Sequence, residues 1–340
     1  MPVGLTAVLR DHYALASIQQ IQPITAGFLS QNWTLQLADT RYFLKQYRFK
    51  EEARIQGVHA SKFFFAEAGA PVVLPLLGRN GRSYFQHNHK FYALFPYVVG
   101  RKPQRGALTV TELESMATHL AHLHRAGQGK TIAELPTVSR QWCRNDFAIN
   151  IAKILALIEQ KVEKMPFDQL AEQKLRLKQK LASQIDYAYG DLGLAHDCLI
   201  HGDYHPDNLF VDEAGHIKAI YDLEKSEHSH RLLELVRSVE FGCFSPSSGY
   251  GFLVNKANFK SAAHYLRIYQ RIFPFRAEEL RTAYLAHVGK RVFSLWVERE
   301  HYLHNNARVA PFLMAGWQSL AYFAENFELF VAKITREIFS

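Results

Sequence analysis

Cysteine is scarce in this chain: Cys143, Cys198 and Cys243 are all that 340 residues contain. They are scattered, odd in number, and form neither a CxxC pair nor a zinc spacing. Buried, reduced thiols in a cytoplasmic protein are therefore expected, and a disulfide framework or structural zinc site is not. No apolar run approaches the roughly 18 residues of a membrane helix, so no membrane association is expected. The amino-terminal stretch MPVGLTAVLRDHYAL lacks a basic region followed by an apolar block, and no secretory signal is expected. Internal repeats and low-complexity segments are missing as well. Charge of one sign is not concentrated anywhere. Of the net +8, residues 1–100 hold 10 Lys/Arg against 5 Asp/Glu and the remainder 30 against 27. Without a basic run, no nucleic-acid partner is expected. What is present is ordinary for a folded chain, 48% hydrophobic and 21% charged, but the length exceeds what one core usually fills. Two lobes are expected.

The pattern along the chain supports an uneven division. Leu5–Ser17 has helical spacing, and Ile21–Ile24, Trp33–Leu37 and Tyr42–Lys45 read as strands, with Ala38-Asp39-Thr40 as a hairpin loop. Glu51–Ala68 reads as a helix with Ile55, Val58, Phe63 and Phe65 on its apolar face, stopped by Gly69-Ala70-Pro71. Val72–Leu77 and Lys90–Phe95 look like two more strands around a Gly78–Gly81 turn. Tyr97–Pro103 breaks the pattern and is the expected hinge. Beyond it, Thr111–Ala126, Ser139–Glu163, Phe167–Tyr189 and most of Arg231–Ser340 read as helices. The aromatics of the last part, among them Phe293, Trp296, Phe323 and Phe330, are expected to form packed core.

One stretch stands apart from this helical half. Leu199–Glu224 reads LIHGDYHPDNLFVDEAGHIKAIYDLE, two or three short strands with Asp212–Gly215 as a turn. Asp203 and Asn208 share the loop after the first strand, and Asp222 ends the last. Two carboxylates and an amide oxygen at adjacent strand ends are hard oxygen ligands of the kind Mg²⁺ prefers. Their order and spacing also fit the kinase template: an Asp that faces the acceptor hydroxyl, an Asn five residues on, and a later Asp at a strand end.

This stretch resembles the aminoglycoside phosphotransferase / choline kinase family of protein-kinase-like small-molecule kinases, homoserine-kinase-like members included. The likeness covers roughly residues 20–245. Ile24-Thr-Ala-Gly27-Phe-Leu-Ser30-Gln-Asn32 is similar to the family's nucleotide loop and Phe43-Leu-Lys45 to its lysine strand. Leu94-Phe-Pro96-Tyr-Val98-Val-Gly100 is similar to its hinge, and Leu120-Ala-His-Leu-His124-Arg-Ala-Gly127 to its LHxxG helix end. The resemblance implies an α+β, protein-kinase-like bilobal fold. A small antiparallel-sheet N-lobe with one helix would span residues 1–96, a hinge 97–103, and a mainly helical C-lobe with a small β insertion 104–340. It implies ATP and Mg²⁺ as cofactors and phosphate transfer to a small-molecule hydroxyl. Asp203 would be the catalytic base, and Asn208 and Asp222 the metal ligands. Lys45, Gly27 and Ser30 would hold the phosphates, with the Pro96 carbonyl and Val98 amide on adenine. His201 and His205 would pack and hydrogen-bond within the loop.

Departures from the pattern qualify the reading. The helix glutamate that pairs with the phosphate lysine in kinases falls at His59; Glu52 is the expected substitute, with Glu51 the weaker choice. Glu224 replaces the Gly of the kinase DFG motif, and no Ala-Pro-Glu segment follows. Gly202 replaces the Arg that reads a phosphorylated activation loop, which favours a small acceptor over a protein. A protein Ser/Thr kinase and a nucleotide-binding pseudokinase are the alternatives. For the acceptor, Glu224, Glu227 and Glu234 suit a cationic molecule, whereas Arg231 and Arg237 suit a carboxylate-bearing one. Sequence alone leaves that choice open, along with the oligomeric state.

Overall fold

The computed structural model describes residues 2, 4–15, 18–24, 31–137, 142–245, 252 and 254–339, leaving out the side chains of residues 314–316. The chain opens with α1 (Leu5–Tyr13) and then builds a five-stranded antiparallel sheet. Its strands are β1 (Gln20–Ile24), β2 (Asn32–Leu37), β3 (Thr40–Gln46), β4 (Phe85–His87) and β5 (Lys90–Pro96), in the order β1-β2-β3-β5-β4. Period-two alternation makes β2 a half-buried strand: Trp33, Leu35 and Leu37 are buried while the residues between them are less so. The β2–β3 turn closes on Ala38-Asp39, with Ala38 at φ 40° as a tight hairpin requires. Strand β3 lies between β2 and β5, with Lys45 opposite Ala93.

Helix α2 (Glu52–Glu67) is inserted between β3 and β4. Its Ile55, Val58 and Phe65 are fully buried, and Phe63 is half-buried. The expected strand over Val72–Leu77 does not form. Val72 makes one parallel bridge to Ile220, Val73 N–H donates to the Ile220 carbonyl at 3.0 Å, and Leu76 N–H donates to Leu94 at 2.8 Å. The segment's hydrogen bonds are thus divided between two sheets, and Pro75 has no N–H to continue a ladder. The strand that forms a hairpin with β5 is β4, Phe85–His87, with β3 on the other side of β5.

The remainder is mainly helical: α3 (Val110–Gly127), α4 (Arg144–Glu159), α5 (Pro166–Gln184), α6 (Arg231–Val239), α7 (Lys256–Ile272), α8 (Ala277–Phe293), α9 (Trp296–Leu303) and α10 (Phe312–Phe339). Helix α3 starts on a capping box, in which Thr109 accepts from Glu112 N–H and Glu112 accepts from Thr109 N–H. Among the helices lie β6 (Cys198–Ile200), β7 (Leu209–Val211), β8 (Ile217–Ile220) and β9 (Glu227–Ser229). β7 pairs with β8 and β6 with β9, a strand not anticipated from the sequence. The largest core joins α3, α6, α7, α8 and α10 with Val58, Phe65 and Val72 from the first part of the chain. Phe323 and Phe330 belong to it, as expected, but Trp296 is 42% exposed. Cys198 and Cys243 are buried free thiols; Cys143 is exposed at the start of α4, against expectation.

Candidate active site

The loop joining β6 to β7 carries Asp203, and several buried groups fix its shape. Gly202 sits at φ 83°, and a Cβ there would lie 1.9 Å from the Lys225 carbonyl oxygen, so only glycine fits. His201 is wholly buried; its Nε2 bonds the Tyr221 carbonyl at 2.9 Å, leaving Nδ1 to accept from Asp203 N–H at 3.2 Å. Glu234 on α6, 2% exposed, accepts from the N–H groups of His201 and Tyr204, both at 3.1 Å, and pairs with His124 Nε2 at 3.0 Å. Burial pushes the Glu234 carboxyl up, but His124 and these donors outweigh it and hold it below the usual range. Asn208 Nδ2 donates to the Asp203 carbonyl at 2.9 Å. His201 and His205 therefore serve within the loop as the sequence implied, His205 lying 3.4 Å from Asn208 Nδ2 and 3.5 Å from Asp203 Oδ1.

Asp203 itself is 8% exposed and surrounded by cations. Lys225 donates to Oδ2 at 2.9 Å, and Arg237 forms an ion pair with Oδ1. Burial raises its pKa, yet Arg237, His205 and Lys225 outweigh that effect and hold the carboxyl well below its ordinary value. Arg237 lies one turn before Phe241 and stacks over its ring at 5.0 Å. Phe241 is in a π-helical turn, Glu240–Phe244, that continues α6.

Lys45 is 6% exposed and projects from β3 onto Asp222 at 2.6 Å and Glu224 at 2.5 Å. Burial works against its charge, but the two carboxylates raise its pKa. This corrects the expectation for its partner. Glu52 instead pairs with Arg82 at 3.1 Å and accepts from Tyr84 at 2.6 Å, and Glu51 is exposed. His59 bonds Tyr47 and Ser83, both at 2.7 Å. The acid comes from the segment after β8 because Asp222 adopts φ 64°, a left-handed conformation that starts the short turn Leu223–Lys225. Lys62 of α2, 2% exposed, also enters this wall of the site, 5.4 Å from the Phe95 ring and 5.9 Å from that of Tyr221. Sequence reading missed it; its position seven residues after Ile55 on the buried face was the available signal.

Asn208 and Asp222 are brought side by side: Tyr221 N–H donates to the Asn208 carbonyl at 2.9 Å, and β7 pairs with β8 from Leu209 and Ile220 outward. The donor set fits Mg²⁺. The Asn208 amide nitrogen is engaged with the Asp203 carbonyl, so its oxygen would be the ligand atom, and Asp222 would add a carboxylate. Among the described residues no cluster of three or more His, Cys, Asp or Glu could hold an ion. Pro96 ends β5 exposed, and Val98 is half-buried against the apolar cluster that contains Phe95 and Ala219. Gly27 and Ser30 lie outside the described residues. Two acceptor suggestions are corrected. Arg231 points elsewhere, stacking on Phe273 at 3.8 Å and donating to its carbonyl at 3.0 Å. Glu224 and Glu234 are committed as described, and Glu227 is buried.

The geometry agrees with comparisons to known proteins. Three solved structures share the fold along nearly the whole chain. Spectinomycin phosphotransferase, solved with ADP and spectinomycin, is 16% identical with a TM-score of 0.62, covering 99% of this chain and 100% of that one. A microcompartment-associated aminopropanol kinase is 14% identical with a TM-score of 0.63, covering 98% and 100%. An aminoglycoside phosphotransferase from Alicyclobacillus acidocaldarius is 18% identical with a TM-score of 0.60, covering 99% and 97%. They establish an α+β kinase-like fold. No match was found among curated proteins. The family model described as the phosphotransferase enzyme family matches residues 20–265, which include β1, Lys45, Asp203, Asn208 and Asp222. The chain belongs to the phosphotransferase enzyme family.

Proposed function

We propose that this phosphotransferase moves the γ-phosphate of ATP to the hydroxyl of a small molecule, in a cleft between a lobe of residues 1–96 and one of residues 104–340, with 97–103 as hinge. The observation that carries the reading is an ionised Asp203 on a loop fixed by Glu234, His201 and Gly202, beside Asn208, Asp222 and Lys45. Asp203 orients the acceptor hydroxyl for in-line attack. Its depressed pKa makes it a weak base, which suits a loose transition state in which the hydroxyl proton leaves late. Lys45 supplies a point charge to the nucleotide phosphates, with Glu224 keeping its ammonium in place. Asn208 and Asp222 would hold Mg²⁺, which when bound neutralises the charge on the phosphate oxygens. Gly27 and Ser30 would contribute backbone N–H groups to those oxygens, and Pro96 and Val98 the adenine contacts.

The solved relatives point the same way, since their structures contain ADP with spectinomycin or belong to an aminopropanol kinase. Free thiols fit a reducing compartment such as the cytoplasm. The pseudokinase alternative loses its motive, because Glu224 supplies the acid missing from α2. Incubating the purified chain and a cell extract with γ-labelled ATP tests the reading. Label is expected in small molecules. Label in protein bands would favour a protein kinase, and ATP binding without any transfer would favour a pseudokinase.

A further inference from the structure

Four cationic side chains gather beside the catalytic loop. Lys225 and Arg237 contact the Asp203 carboxylate, Arg105 pairs with Asp207, and Lys102 donates to the Asp207 carbonyl at 2.6 Å. Against them the loop offers two carboxylates, Asp203 and Asp207. The two guanidiniums are held in place by one ring. Arg105 lies 4.5 Å and Arg237 5.0 Å from the centre of Phe241, which also lies 5.2 Å from the His205 ring. The segment bearing Arg105 is tied to the π-helical turn by a 2.9 Å bond from Gly106 N–H to the Gly242 carbonyl.

We propose that the acceptor is an alcohol carrying an anionic group, a carboxylate or a phosphate ester, recognised by Arg105 and Arg237, which both lie against the Phe241 ring, with Lys225 beside them. This rests on the reading of Asp203 as the group that receives the hydroxyl. A cationic acceptor would need accessible carboxylates near that point, whereas the side chains of Glu224, Glu234 and Glu240 are largely buried and that of Lys225 is 61% exposed. Glu224 faces Lys45, Glu234 anchors the loop, and Glu240 is 3% exposed between His287 at 2.6 Å and Arg291 at 2.9 Å. Nucleotide binding does not account for all the cations either. Arg105 touches Asp207 and Phe241 rather than the Lys45–Asp222–Glu224 group, which places its guanidinium on the Asp203 side. A planar guanidinium held by stacking binds a carboxylate or phosphate through paired hydrogen bonds with little ordering cost. The reaction balances as the established class requires: the acceptor oxygen bonds to the γ-phosphorus, the bond to the bridging oxygen breaks, and ADP and the hydroxyl proton leave.

The test is ADP release by the full chain with Mg-ATP and one acceptor at a time. L-homoserine and D-glycerate form the carboxylate arm, glycerol 3-phosphate the phosphate arm, and ethanolamine, choline and kanamycin the cationic arm. At least one anionic arm is expected to raise the rate roughly tenfold or more above acceptor-free hydrolysis, and the arm that does so identifies the group. Arg105→Gln should then raise the KM of that acceptor by roughly tenfold to a hundredfold, with partial recovery in Arg105→Lys, while the KM for ATP stays within about twofold. Lys225→Gln, at a 61% exposed side chain, is a second variant with little risk to folding, and it should weaken the same acceptor. Stimulation by the cationic arm, by none of the anionic probes, or an acceptor KM unmoved in both Gln variants overturns the proposal. Failure of the phosphotransferase reading itself looks different: acceptor-free ATP hydrolysis would then survive Asp203→Asn.

Discussion

Lys45, itself almost closed to water, keeps its charge because two carboxylates face it, and one of them, Asp222, is also a proposed metal ligand. With Asp222 assigned to the metal in the proposed site, Glu224 is the residue that continues to hold the ammonium. Glu224→Gln should raise the KM for ATP by roughly tenfold, the cost of one charge-assisted bond, whereas Glu52→Gln should leave it unchanged; steady-state kinetics with varied ATP separates the two. Lys62 is the unusual residue of this wall. Burial first, and then the neighbouring Lys45 charge, lower its pKa to about 7. The unfolded chain therefore binds more protons between about pH 7 and the ordinary lysine value near 10.5, and stability rises with pH across that window. Lys62→Met should remove this slope. It should exceed the parent in stability below pH 7, by on the order of 4 kcal/mol, and converge with it near pH 10. Urea denaturation across pH measures both.

At the scale of elements, the loop after β6 is held by α6 as well as by the segments around its own strands. Glu234 takes two loop N–H groups and His124 at once, so Glu234→Ala leaves buried donors unpaired at about 1–3 kcal/mol each. Thermal unfolding should show that loss, and kcat should fall far more than the KM for ATP rises, because the Lys45 side of the site is untouched. These contacts also mark how far the sequence could be read. The local elements were legible: the β2–β3 hairpin, α2, α3 and the Asp203–Asn208–Asp222 spacing all follow from short-range pattern. What was not legible depends on pairing between distant segments. Val72–Leu77 has strand composition but divides its bonds between Ile220 and Leu94. Glu227–Ser229 has little strand character yet pairs with β6. The acid facing Lys45 was sought on α2 by analogy, and it lies 179 residues away because the backbone of Asp222 turns left-handed. The role of Glu234 and the clamp around Phe241 are tertiary in the same sense.

For the whole molecule, the main consequence is that the lobes are not independent. Val58, Phe65 and Val72 share the core of the helical part, and Arg54 of α2 donates to the Glu224 carbonyl at 2.6 Å and the Ser226 carbonyl at 3.0 Å. A ligand that contacts Lys45 and Asp222 therefore stabilises the chain as a unit. Mg-ATP at about a hundred times its Kd should add about 2.7 kcal/mol, a Tm rise of roughly 3–4 °C for a chain of this size. Asp222→Asn should abolish the part of the shift that depends on Mg²⁺, as differential scanning fluorimetry with and without the metal would record. The central claim, that Asp203 directs phosphoryl transfer without holding the nucleotide, is tested most directly by Asp203→Asn with ATP binding and single-turnover transfer measured on the same preparation. Binding within about threefold of the parent and a transfer rate lowered by roughly a thousandfold or more are predicted; transfer at the parental rate would contradict the account.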